Sequence, residues 1–114
     1  MSVRRFTVPI AISADPSSDQ KYELYQVKES KVIVREIELV FQSGTFNVLF
    51  ASLYYGNMKI APRVSEYTLI SGVLRDRVNV PYFRGDKILL RVRNTDTTNT
   101  YNVAGSLELE EVVE

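Results

Sequence analysis

Between Thr45 and Tyr55 the chain reads TFNVLFASLYY, with bulky apolar side chains at both odd and even positions, and this constrains the fold more than any other segment. In a strand, successive side chains point to opposite faces, so Phe46, Val48, Phe50 and Tyr54 share one face and Leu49, Ala51 and Leu53 the other. Both faces need cover. A small domain covers one of them, and a second apolar face calls for another layer or another subunit. Leu49, Leu53 and Tyr55 are therefore the candidate interface residues.

Elsewhere the dominant pattern is alternation, and helical spacing is almost absent. Strands are expected near Arg4 to Ile12, Lys21 to Val27, Val32 to Phe41, Thr45 to Tyr55, Lys59 to Ala61, Tyr67 to Ile70, Arg77 to Tyr82, Asp86 to Asn94 and Tyr101 to Val112. Turn residues separate them: Asp15-Pro16-Ser17-Ser18-Asp19, Ser43-Gly44, Gly56-Asn57, Ser71-Gly72, Arg84-Gly85-Asp86 and Thr95 to Thr100. The stretch Ser65 to Leu74 could instead form one helical turn. With 114 residues the chain forms a single domain, residues 1–114, large enough to bury about 65% of its unfolded surface. The expected architecture is all-β, an antiparallel β-sandwich of jelly-roll-like form with eight or nine strands.

Three local patterns sharpen this. If Thr95 to Thr100 closes a hairpin, Val92 faces Val103, Leu90 faces Gly105 and Ile88 faces Leu107, with Lys87 opposite Glu108 on the polar side. In Val32 to Phe41, residues Ile33, Ile37, Leu39 and Phe41 share a face, with Val34, Glu36, Glu38 and Val40 on the other. That leaves Arg35 on the apolar side, so a bulge or edge exposure is expected in preference to an internal partner, because burying a charge is costly. In the first strand Phe6, Val8, Ile10 and Ile12 point inward, and Pro9, lacking an N–H, places the strand at a sheet edge or a crossing between sheets.

The residues available for chemistry are few. There is no cysteine and no histidine, which removes thiolate chemistry, disulfides and the commonest general base and metal ligand together. Fourteen basic residues balance fourteen acidic ones, so no net field favours nucleic acid. Carboxylates gather in the Asp15/Asp19 loop and at Glu108, Glu110, Glu111 and Glu114, where a charged surface is the simpler account than a catalytic pair. Asp15, Asp19 and Asp96 lack the spacing of a calcium loop. No cofactor and no metal is implied, and no enzyme. The basic residues Arg75, Arg77, Arg84, Lys87, Arg91 and Arg93 suit charge matching better than a polyanion contact, since Asp76 and Asp86 lie among them. Tyr22, Tyr25, Tyr54, Tyr55, Tyr67, Tyr82 and Tyr101 offer a sugar-stacking platform, against the commoner role of cross-strand packing. No apolar run approaches the ~18 residues of a membrane helix, and the N-terminus has no signal-peptide pattern, so a soluble protein made in a cytoplasm is expected.

From Glu36 onward the chain carries a long apolar strand (VLFASLYYG), a Pro-containing turn, and then YFRGDKILLRVRNTDTTNTYNVAGSLELEEV. The Gly85-Asp86 turn feeding Ile88 to Val92, the Asn94-Thr95-Asp96 turn and the closing strand resemble the small jelly-roll sandwiches of phage and virus structural proteins, such as capsid decoration, spike or head-fibre modules. The resemblance implies a non-enzymatic structural protein of a virion that assembles with itself, as a trimer or pentamer, and with other virion proteins. The same pattern is similar to carbohydrate- and ligand-binding sandwiches, which is the alternative function.

Overall fold

The computed structural model describes residues 2–41, 48–63, 65–68 and 72–113, which form eight strands and no helix. These are β1 (Ser2–Ala14), β2 (Asp19–Gln26), β3 (Lys31–Phe41), β4 (Leu49–Tyr55), β5 (Met58–Ala61), β6 (Gly72–Phe83), β7 (Lys87–Asn94) and β8 (Tyr101–Val113). They make two four-stranded antiparallel sheets, ordered β1-β8-β3-β6 and β2-β7-β4-β5. Successive strands thus cross between the sheets, apart from the β4–β5 hairpin, and this interleaving is the jelly-roll arrangement. The sandwich is elongated, 49 × 24 × 24 Å.

Alternation decides what lies between the sheets. Val8, Ile10, Ile12 and Ala14 of β1, Val103, Leu107 and Leu109 of β8, and Ile88, Leu90 and Val92 of β7 are all buried, while the residues between them face outward. At about 25 cal/mol per Å² of apolar surface removed from water, such inward faces are the main source of stability. β1 is an edge strand, as Pro9 requires. The segment after β5 returns beside β4, where Tyr67 exchanges backbone hydrogen bonds with Ala51 (2.8 and 2.9 Å). Tyr67 is thus an isolated bridge where a strand from Tyr67 to Ile70 or a helical turn was expected; Leu69 to Ser71 lie outside the described residues, as do Gln42 to Asn47.

Two expectations are corrected. β7 and β8 do not form a hairpin: β7 pairs with β2 and β4, and β8 with β1 and β3. The connection arches from one sheet to the other, held by buried Asn94, whose amide donates to the carbonyls of Ala14, Asp15 and Asn99 at 3.0–3.1 Å. Val92, Leu90 and Ile88 point into the core with Val103 and Leu107, but across the sandwich instead of along one ladder. In β3 the register slips between Val34 and Glu36, so Arg35 sits in a bulge. The inward set is therefore Val32 and Val34 before it and Ile37, Leu39 and Phe41 after it; Ile33, expected inward, is only half-buried and faces out. β3 is an interior strand, so the bulge, not an edge position, frees the guanidinium.

At one point the backbones of β8 and β3 approach so closely that a side chain is excluded. Gly105 has φ +147°, and a Cβ there would lie 1.9 Å from the Glu38 carbonyl oxygen. Only glycine fits this central position.

Candidate functional site

The inner face of β4 settles where two of the candidate interface residues lie. Leu49 and Leu53 have no exposed surface and pack between the sheets with Val92, Leu90 and Ile88 of the neighbouring strand and with the facing sheet. This corrects the expectation that their face seeks another subunit: the second sheet of the same chain already encloses it. Tyr55, at the end of β4, is half-buried. Its ring stacks on Tyr82, with centroids 5.1 Å apart and planes at 22°, and its hydroxyl donates to Asp86 Oδ2 at 2.6 Å. That hydrogen bond, then burial, raises the Tyr55 pKa. Asp86 also accepts from the Phe83 amide at 2.8 Å, so Tyr55 fixes the β6–β7 turn.

The outer face of β4 carries Phe50 and Tyr54, and it is covered from within the chain. The Arg93 guanidinium lies 4.4 Å from the Phe50 ring centre and the Lys21 ammonium 4.5 Å from that of Tyr54. Arg93 is held by Glu66 (2.7 Å), and Arg91, beside Ser52, makes two 2.7 Å bonds to Asp19. Long cationic stems can cover apolar surface while their charged ends stay wet or paired, and a cation over a ring adds about 0.5–1 kcal/mol at an exposed site.

The charged residues form pairs distributed over the two outer faces. Glu110 is nearly buried and bridges Arg35 and Arg5 (3.2 Å from Arg5 Nε); Arg5 also reaches Glu108, and Arg75 reaches Glu38. Hydrogen bonding to Arg35 outweighs burial and, with Arg5, holds the Glu110 carboxyl below its usual range. The structure thus keeps Glu108 and Glu110 on one face, but their partners come from β1 and β3, not β7. Lys87 pairs instead with Glu23 at 3.5 Å. Asp96 accepts from the Asn99 side chain, the Tyr101 hydroxyl and the Thr98 amide, which depress its pKa, so it organises its own loop. Among the described residues no group of three or more acidic side chains is placed to hold a metal ion.

The seven tyrosines do not make a stacking platform. Tyr67 and Tyr82 are buried, and none of the other five is fully exposed. The Tyr67 hydroxyl crosses the open flank of the sandwich to Asp76 of β6, and that of Tyr82 donates to the Tyr54 carbonyl at 3.1 Å. Burial comes first in pushing both hydroxyls well above the ordinary tyrosine range.

One feature has no signature in the linear pattern. At the end of the sandwich where the β2–β3 turn, the β6–β7 turn and the end of β8 meet, a cleft of about 520 Å³ is lined by Lys28, Lys31, Phe83, Arg84, Val112 and Val113 among others. These residues are distant in sequence, and only the crossing of the strands collects them.

No protein-family profile and no curated protein matches the sequence. Solved structures do resemble the fold. The structures of the Gt and Gx strains of infectious bursal disease virus each align over 96% of this chain and 32% of theirs, with 15% identity and a TM-score of 0.51. The VP2 subviral particle of the same virus aligns over 96% of this chain and 33% of its own, with 14% identity and a TM-score of 0.51. The chain spans about one third of the length of the proteins it matches. At that identity the likeness is one of fold, and it is a fold shared with virus-particle structures.

Proposed function

We propose that this chain is a non-enzymatic structural module of a virus or phage particle and that it associates with copies of itself. The observation that supports the reading is the strand order itself, β1-β8-β3-β6 facing β2-β7-β4-β5, together with the alignment of 96% of the chain to virus-particle structures. Jelly rolls serve in capsids because their flat faces and edges meet neighbours without chemistry. With Leu49 and Leu53 enclosed, contact between copies falls to the sheet edges and outer faces. Sedimentation velocity across a range of concentrations tests this. A species several times the 13.0 kDa chain mass, such as the trimer or pentamer implied by the family resemblance, is expected. A strict monomer at the highest concentration overturns self-association.

A further inference from the structure

We infer that the cleft at the β2–β3 end of the sandwich is a docking site for an acidic peptide segment of a partner chain that carries apolar side chains between its carboxylates. The cleft has two kinds of lining residue. Phe83 and Val113 are among the most exposed large apolar residues described, at 48% and 43%, and with Val112 they supply its apolar lining. Lys28, Lys31 and Arg84 line it as well, with Lys31 lying between Phe83 and the end of β8 in the strand order, and none of the three has an ion-pair partner among the described residues. Arg84 instead braces the turn, donating to the Lys28 carbonyl (3.2 Å) and the Ser30 hydroxyl (3.3 Å), and the Lys31 ammonium lies 5.8 Å from the centre of the Phe83 ring.

The two carboxylates in the lining do not neutralise these cations, because Arg4 already engages both. Arg4 Nε bonds Glu111 at 2.8 Å and Arg4 Nη2 lies 3.6 Å from Glu29, whose oxygens also accept from the Tyr25 hydroxyl at 2.9 and 3.1 Å. The chain's fourteen positive and fourteen negative side chains cancel overall, and among the described residues this is a local positive excess beside exposed apolar surface. Complementarity then selects a partner that is anionic and apolar together, and the apolar wall makes a bare polyanion such as nucleic acid a poor match. The backbone adds a further feature: the β8–β1 ladder runs to Val113–Ser2 while the β8–β3 ladder stops at Glu111–Val32. The last two residues of β8 therefore border the cleft without a ladder partner on that side among the described residues, where an extended peptide can lie alongside.

The test uses the whole chain and a fluorescein-labelled peptide Glu-Leu-Glu-Val-Glu, read by anisotropy and by amide chemical shifts. Saturable binding is expected, weakened by added salt, with shifts centred on residues 28–31, 83–84 and 111–113. Lys28→Glu with Lys31→Glu, and separately Phe83→Ser, should each weaken binding about tenfold while circular dichroism stays that of the parent. The inference is overturned if the peptide fails to saturate at millimolar concentration. It is equally overturned if Glu-Ser-Glu-Ser-Glu or an oligothymidylate competes as well as the peptide, or if the shifts map elsewhere. Sedimentation of the same variants is expected to match the parent, so this outcome is separate from that of self-association.

Discussion

β3 and β4 are both interior strands, and each contains something that a regular pleat cannot hold. β4 has too much apolar surface for one covered face; β3 has a charge where its apolar phase requires a hydrocarbon. At β4 the register against β7 runs unbroken from Leu49–Asn94 to Tyr55–Ile88, and side chains solve the problem: Arg93 and Lys21 lie over Phe50 and Tyr54. At β3 the backbone solves it: the bulge at Arg35 changes which parity points inward and turns the guanidinium toward Glu110. The difference follows from cost. Exposed ring surface is unfavourable by small amounts that a flexible stem offsets, whereas a charge taken out of water costs several kcal/mol, enough to select a different backbone path.

Deletions break the comparison most severely. Removing Glu38 turns Leu39 and Phe41 outward, each worth about 1.5–3 kcal/mol of burial, and a domain of ordinary stability should unfold. Removing Arg35 instead brings Val32, Val34, Ile37, Leu39 and Phe41 into strict alternation, so that variant should remain folded, with a reduced urea midpoint because Glu110 keeps only Arg5 as a partner. Equal damage from the two deletions would refute the phase argument.

Next in size is Leu53→Asp, which places a carboxylate between the sheets at a cost on the order of 5 kcal/mol. It should abolish the folded state in circular dichroism. A folded monomer that has lost only its assembly would return Leu53 to an interface.

Extremes of pH should separate the two strands. The lowered pKa of Glu110 supports the β3 bulge above the usual carboxylate range, and that support is lost as pH falls through the folded value. The raised pKa values of Tyr67, whose hydroxyl donates to Asp76 of β6, and of Tyr82, whose hydroxyl donates to the Tyr54 carbonyl of β4, give stability that is complete below about pH 10 and lost as pH rises further. Ultraviolet titration should show these two phenols ionising only as the fold is lost. The smallest effect is that of Arg93→Ala, about 1 kcal/mol with increased binding of an apolar dye to the uncovered Phe50.

Much of this was legible in the residues. The alternation in Phe6 to Ile12, Ile88 to Val92 and Val103 to Leu109 fixes which side chains face the core, and Pro9 marks an edge. The bulge at Arg35 was visible as a charge out of phase. What alternation cannot supply is the identity of the hydrogen-bonded neighbour: Val92 and Val103 point into one core whether their strands share a sheet or face each other across it. Asn94 decides between these, and its role depends on carbonyls of Ala14 and Asp15 that are remote in sequence. The same limit applies to Leu49 and Leu53, whose cover comes from a sheet assembled by distant strands, and to the cleft, whose walls come from three separate turns and ends.

The ladder between β1 and β8 carries a temporal consequence. Thirteen residue pairs, from Ser2–Val113 to Ala14–Tyr101, join the first strand to the eighth. During synthesis β1 cannot find its mate until the ribosome has made everything in between, so the edge that will face β8 stays available to other chains until β8 emerges. Pro9 and the charged Arg4 and Arg5 sit on that waiting strand, where they discourage premature pairing with strangers.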